Sequence, residues 1–205
     1  SQNTNYFIST NYFKQNGIVL NDDFKRMSVN LNLSNHITDW LTISVKSMFS
    51  TRDMSGVPAN FEQAPDQSPY GNVYDENGPG GYAFHPVGDP LGINPLINTT
   101  IKDYDKQTSL WGLFSSAMEV PFVPGLKWTM NASSNLRIAK QGQYLDNQST
   151  SASINANGIG SKAITESHDW TIDNIINYQK VLNIDHSINM TFLDSREYSQ
   201  LDYSN

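Results

Sequence analysis

Between positions 126 and 138 the chain alternates almost without a slip. Leu126, Trp128, Met130, Ala132, Leu136 and Ile138 occupy one set of positions. Lys127, Thr129, Asn131, Ser133, Asn135 and Arg137 occupy the other. In an extended strand the two sets point to opposite faces, so this stretch needs one dry face and one wet face. The same period recurs at Met27, Val29, Leu31 and Leu33 against Ser28, Asn30, Asn32 and Ser34. It recurs again at Leu41, Ile43, Val45 and Phe49 against Thr42, Ser44, Lys46 and Ser50. Helical periodicity is nearly absent.

Seven such segments are expected, at about 5–14, 24–34, 40–51, 108–120, 126–139, 169–180 and 186–198. The first is imperfect: Tyr6, Ile8 and Tyr12 align, but Phe7 and Phe13 fall on its polar side. The links between segments alternate in length. "NHITD", "PFVPG" and "LNID" are short, and the proline and glycine of the second suit a tight turn. "QNGIVLNDD" and the stretches at about 52–107 and 141–168 are long. In an up-and-down antiparallel sheet every second connection lies at the same end, so all short turns gather at one end and all long loops at the other.

That parity narrows the architecture. A soluble β-sandwich also has one dry face per sheet, so alternation alone leaves it open. The segments are longer than the roughly five or six residues of an ordinary strand and match the roughly 9–11 that cross a bilayer. Short turns at one end and long loops at the other characterise outer-membrane barrels. The wet face is polar rather than charged: 16% of the 205 residues are charged, against roughly 25% in a typical soluble domain. Trp40, Trp128 and Trp170 lie near segment ends, where an aromatic belt belongs. On this reading Met27, Val29, Leu31, Leu33, Leu41, Ile43, Val45, Leu126, Trp128, Met130, Leu136 and Ile138 face lipid, and the polar set faces a wet lumen. The fold class is all-β, an antiparallel up-and-down meander. A closed single-chain barrel has an even number of strands, at least eight, so seven are expected to be part of something larger.

The formal net charge of −7 argues against nucleic-acid binding. The lack of cysteine removes disulfides, thiol nucleophiles and cysteine-based zinc sites. No stretch has the apolar length of a membrane-spanning helix.

The ordered motifs resemble the SusC/RagA family of TonB-dependent outer-membrane transporters. "NYFISTNYFKQNGIVLNDDFKRMSVNLNLSNHITDWLTISVKSMFSTRD" is similar to the family's early barrel: an aromatic strand, a "QNG" loop, a strand entry at Asp23–Phe24, and a "WL" turn. "INPLINT" resembles the family's "NPL" loop, and "VPGLKWTMNASSNL" its turn and following strand. "LNIDHSINMTFLDSREYSQ" resembles a later strand, with Leu193, Asp194 and Ser195 replacing a small, glycine-containing step. The resemblance implies part of a large, about 22-stranded transmembrane β-barrel. It implies an importer of oligosaccharides or peptides, energised by the TonB complex and working with a SusD-like surface lipoprotein. The plug domain, TonB-contacting segment and signal peptide are then expected before Ser1. The rival reading is a non-transporting binding or adhesion module, either a soluble sandwich or a loop-displaying barrel.

No residue set points to an enzyme, a cofactor or a metal. The longest loop holds Tyr70, Tyr74, Tyr82, Phe84 and His85, whose rings suit stacking on a ligand; such aromatics also serve to pin a long loop. "DEN" at 75–77 lacks the spacing of a calcium loop, and "NGIGSK" at 157–162 lacks the ending of a phosphate loop and reads as flexible. His36, His85, His168 and His186 are scattered, and the close carboxylates Asp22/Asp23 and Asp103/Asp105 read as solvated loop charges.

Overall fold

The computed structural model describes residues 3–89, 92–145, 158–182 and 184–205. It forms one seven-stranded antiparallel sheet in sequence order. The strands are β1 (Thr4–Asn16), β2 (Asp23–Thr38), β3 (Leu41–Asp53), β4 (Lys102–Glu119), β5 (Leu126–Leu145), β6 (Ile159–Val181) and β7 (Ser187–Ser204). Three short 3-10 segments, Phe61–Asp66, Pro79–Gly81 and Pro95–Thr100, lie in the loop between β3 and β4. No described helix is long and apolar enough to cross a membrane.

The expected parity holds. The short connections, β2 to β3, β4 to β5 and β6 to β7, lie at one end of the sheet, and the long ones share the other end. The β4–β5 turn shows why the sequence there is fixed. Gly125 has φ 85°, and a Cβ on it would fall 1.9 Å from the Gln179 carbonyl oxygen. Only glycine lets β6 approach closely enough for the Gln179 amide to donate to the Gly125 carbonyl.

The strands outrun their apolar patterns. β4 opens at Lys102 rather than near 108, β5 continues to Leu145, β6 opens at Ile159 rather than near 169, and β7 reaches Ser204. Of the loop expected at 141–168, residues 141–145 and 159–168 are strand, and the one at 52–107 shrinks to 54–101. Ile159–Lys162 of "NGIGSK" belong to a strand, not a flexible loop; Asn157 lies outside the described residues. The extra length is held by the backbone ladder, which runs unbroken from Leu126↔Tyr178 to Leu145↔Ile159. Backbone hydrogen bonds impose no side-chain period, so these extensions leave no alternation to read.

The sheet has no second layer among the described residues; substantial contacts run between neighbouring strands or within the loop. Among the described residues the buried hydrophobic ones are Ala83, Ile97 and Ile101, all in the β3–β4 loop. The sheet's own large apolar side chains are substantially exposed, among them Met27 (47%), Leu110 (46%) and Phe192 (63%).

Candidate functional site

Cross-strand partners share a face, so the register sorts every strand residue. One row runs Ile8↔Leu31↔Ser47↔Gly112↔Ser134↔Trp170↔Tyr198. The next runs Tyr6↔Leu33↔Val45↔Phe114↔Ala132↔Ile172↔Arg196. By this register all the residues expected to face lipid share one face: Met27, Val29, Leu31 and Leu33 on β2, Leu41, Ile43 and Val45 on β3, and Leu126, Trp128, Met130, Leu136 and Ile138 on β5. A one-residue slip between any two strands would have split the set. Trp170 and Tyr198 stack on this face, with centroids 6.0 Å apart.

β7 departs from the pattern. Ile188, Met190 and Phe192 keep to the apolar face, but Asp194, Arg196, Gln200 and Asp202 follow on it. Asp194 lies opposite Asn174, and Arg196 Nε sits 3.8 Å from Asp194 Oδ2.

The opposite face is a hydrogen-bonded polar wall. Asn30 donates to Ser9 Oγ (3.3 Å), Ser115 Oγ to Asn131 Oδ1 (2.7 Å), and Asn177 to Thr191 Oγ1 (2.9 Å). Asp169 accepts from Ser199 Oγ (2.6 Å), Ser167 Oγ (3.2 Å) and Asn135 (3.5 Å). Phe7 and Phe13 sit on this face, as their misfit in the alternation foretold. Trp111, paired with Met48, is also here. The alternation reading passed over it, though its place between Leu110 and Gly112 was the available signal.

The β3–β4 loop is built around Asn94, 3% exposed. Its side-chain amide donates to the carbonyls of Val73 (2.9 Å) and Ala83 (3.0 Å), and its Oδ1 accepts from the Leu96 amide (3.0 Å). "NPL" is thus a cap: Asn94 closes the segment Pro95–Thr100, and fully buried Ile97 anchors it. The ring candidates divide. Tyr74 and Tyr82 are bridged and lie 5.9 Å apart, and Phe84 meets His85 edge-on at 4.8 Å. His85 Nδ1 is 3.3 Å from the Gly92 carbonyl. Tyr70 stands apart at 94% exposure. Of the close carboxylates expected in loops, Asp23 opens β2 and Asp103 and Asp105 lie within β4, where Asp103 accepts from the Gly56 amide and Asp105 from Gln141; Asp75 of "DEN" accepts from the Asn77 amide. Asp103 and Asp105 belong to the polar face, so the loop's base folds over that face. Among the described residues no cluster of histidine and carboxylate side chains converges on a metal position.

At the base of the same loop, burial pushes the Asp53 carboxyl up. Hydrogen bonds from the Ser55 hydroxyl and amide and from Lys106 outweigh it and hold the group below its ordinary value.

Two TonB-dependent receptors of Formosa agariphila, P26 and P3, match in sequence. The first is 24% identical over 191 residues, covering 92% of this chain and 19% of the receptor. The second is 27% identical over 158 residues, covering 68% of this chain and 15% of the receptor. The "open-open" structure of the RagAB peptide importer superposes over 99% of this chain and 23% of its own, with a TM-score of 0.68 at 16% identity. A structure of the RagAB peptide transporter gives 0.66 over 99% of this chain and 28% of its own, at 14% identity. The sheet shares its fold with part of the barrel of RagA-type transporters, and the sequence is similar to TonB-dependent receptors. No protein-family profile matches the chain. The chain spans less than a fifth of the length of these curated receptors. Across β1–β5 the apolar face is continuous; on β6 it is interrupted by Glu166, His168 and Asn174, and the sheet is open at β1 and β7.

Proposed function

We propose that this chain is a stretch of wall in an outer-membrane nutrient importer. The apolar face lies against lipid, the polar face lines the lumen, and the 54–101 loop stands at the outer mouth. One observation carries the reading: the apolar sets of all seven strands fall on one face of a single sheet that no second protein layer covers. A soluble module would leave that face in water at large cost, since each exposed aliphatic side chain forgoes roughly 1.5–3 kcal/mol of burial. The inward fold of the loop base over Asp103 and Asp105 supports a role at the lumen mouth. Tyr70, Tyr74, Tyr82, Phe84 and His85 are its contact surface for a ligand or a lid. The transported class is peptide or oligosaccharide, captured with a SusD-like lipoprotein and driven by TonB through parts of the protein outside this chain. The RagAB likeness favours peptide, because both neighbours are peptide transporters.

The test is purification of the full-length protein from outer membranes, with identification of what accompanies it. A copurified surface lipoprotein and a lumen-bound peptide or glycan are the expected result. A protein recovered from the soluble fraction, alone, would overturn the reading in favour of the binding module.

A further inference from the structure

We propose that the apolar face carries, along its border with the long-loop end, a docking rail for an anionic, phosphate-bearing lipid. The rail is one register row: Lys14↔Lys25↔Asp53↔Lys106↔Lys140. It crosses β1 to β5, and each of its four lysines is exposed. On these five strands no charged residue occupies the apolar face between the short-turn end and the row. The row therefore marks where that face stops being dressed for hydrocarbon.

Its energetics do not close within the chain. Like charges directly opposite one another destabilise a sheet, and here Lys14 faces Lys25 and Lys106 faces Lys140. Asp53 is the carboxylate in the row, and it is engaged by Lys106 at 3.2 Å. Asp23 lies on the same face one step beyond Lys25, opposite Asn16, and Glu166 and Asp202 lie on this face of β6 and β7. Among the described residues Lys14, Lys25 and Lys140 have no carboxylate within ion-pair distance. An acidic chain of net charge −7 has thus gathered uncompensated cations on one edge of its apolar face. Lys102 and Lys162 extend the patch further from the apolar band on that face, and Tyr104 and Tyr144 stand between them. Lys106 Nζ is 5.4 Å from the Tyr104 ring and Lys102 Nζ 5.9 Å from that of Tyr144.

The occupant follows from charge and continuity. Beneath the rail the apolar face dips into a groove of about 870 Å³, over Gly112 and Ser134 and between Leu110, Phe114, Leu136 and Trp170, with Glu166 and His168 of β6 on its far side from β3. Gly112 and Ser134 stand six positions from Lys106 and Lys140, on the order of 20 Å along their strands. A ligand that offers negative charge to the row and hydrocarbon to the groove is a membrane lipid with a phosphate headgroup. Free phosphate would leave the groove empty.

This inference rests on the lipid-facing reading, and the test keeps the two apart. The full-length protein in detergent is mixed with equal phosphatidylglycerol and phosphatidylcholine of the same chains, and retained lipid is counted by native mass spectrometry. Wild type should hold an excess of phosphatidylglycerol that falls about fivefold for each lysine removed in the series Lys14→Gln, Lys25→Gln and Lys140→Gln. Arg52→Gln and Lys127→Gln, on the polar face, should leave it unchanged. An excess that survives the triple variant, or no excess in wild type, would show that the lysines only reach into headgroup water, and the proposal fails. In parallel, a fluorophore at Leu31→Cys in vesicles with brominated acyl chains tests the face itself. Quenching without lysine-dependent selectivity defeats the rail alone; no quenching defeats the lipid-facing reading and the rail with it.

Discussion

The seven-stranded sheet and the β3–β4 loop handle apolar side chains in opposite ways. The loop packs its own: Ile97 is fully buried and Ala83 and Ile101 nearly so, around the capped Asn94. The sheet packs none of its own to that degree, although it holds most of the chain's large apolar residues. A loop that stands in water must supply its own dry interior. A sheet that spans a bilayer receives its dry surroundings from outside, and needs only to sort its side chains by face. The same chain therefore contains a small conventional core and a large surface with no core at all.

The contrast can be broken in order of expected effect. Ile97→Ala should cost the loop about 2–5 kcal/mol, because it empties the centre of a closed cluster. Hydrogen exchange should show lost protection across 73–101 while the strands keep theirs. Leu31→Arg should cost the sheet roughly 2–4 kcal/mol in lipid, as for arginine near a bilayer midplane, whereas its neighbour Asn30→Arg on the polar face is tolerated. Folding titrations into vesicles measure both; equal penalties would erase the distinction between the faces. Asn94→Leu should destabilise the loop by about 1–3 kcal/mol for each backbone group left unpaired, namely the Val73 and Ala83 carbonyls and the Leu96 amide. The Tyr74–Tyr82 pair should loosen with it, read as faster exchange at those amides.

The smallest effect is at Asp53, where sheet and loop meet. Its carboxyl is more acidic in the folded state, so it contributes stability above the ordinary value of 3.8 and loses that contribution as pH falls through the lower folded value. The Lys106 partner is half exposed, so the contribution is at most about 1 kcal/mol. Asp53→Asn should lower neutral-pH stability at the β3–β4 end by about that amount and flatten its fall at acid pH, read by denaturant titration at the two pH values.

How much was legible in the sequence follows the same division. Where a strand touches two different media, alternation writes the face directly, which is why Leu126 to Ile138 and Met27 to Leu33 could be assigned residue by residue. On the proposed reading both faces meet water beyond the apolar band, and the pairing of Lys102 with Tyr144 or Gly142 with Lys162 carries no such mark. β7 shows the limit within the band: after Phe192 the run Leu193–Asp194–Ser195 reverses the polarity, and only the pairing with β6 keeps Asp194 on the apolar face. The loop's order was hidden for another reason. Asn94 reaches Val73 across 21 residues through side-chain to backbone bonds, and nothing periodic announces them. The aromatic set was visible as composition, but its division into Tyr74 with Tyr82, Phe84 with His85, and a solitary Tyr70 was not.

The most direct test scans spin labels along β5 from position 126 to 138, one site at a time, in the full-length protein reconstituted in vesicles. Collision with oxygen should peak at the even positions, which carry Leu126, Trp128, Met130, Leu136 and Ile138, and collision with a water-soluble nickel chelate should peak at the odd ones. Even positions shielded from both reagents would mean that protein, not hydrocarbon, covers the apolar face, and would contradict the account.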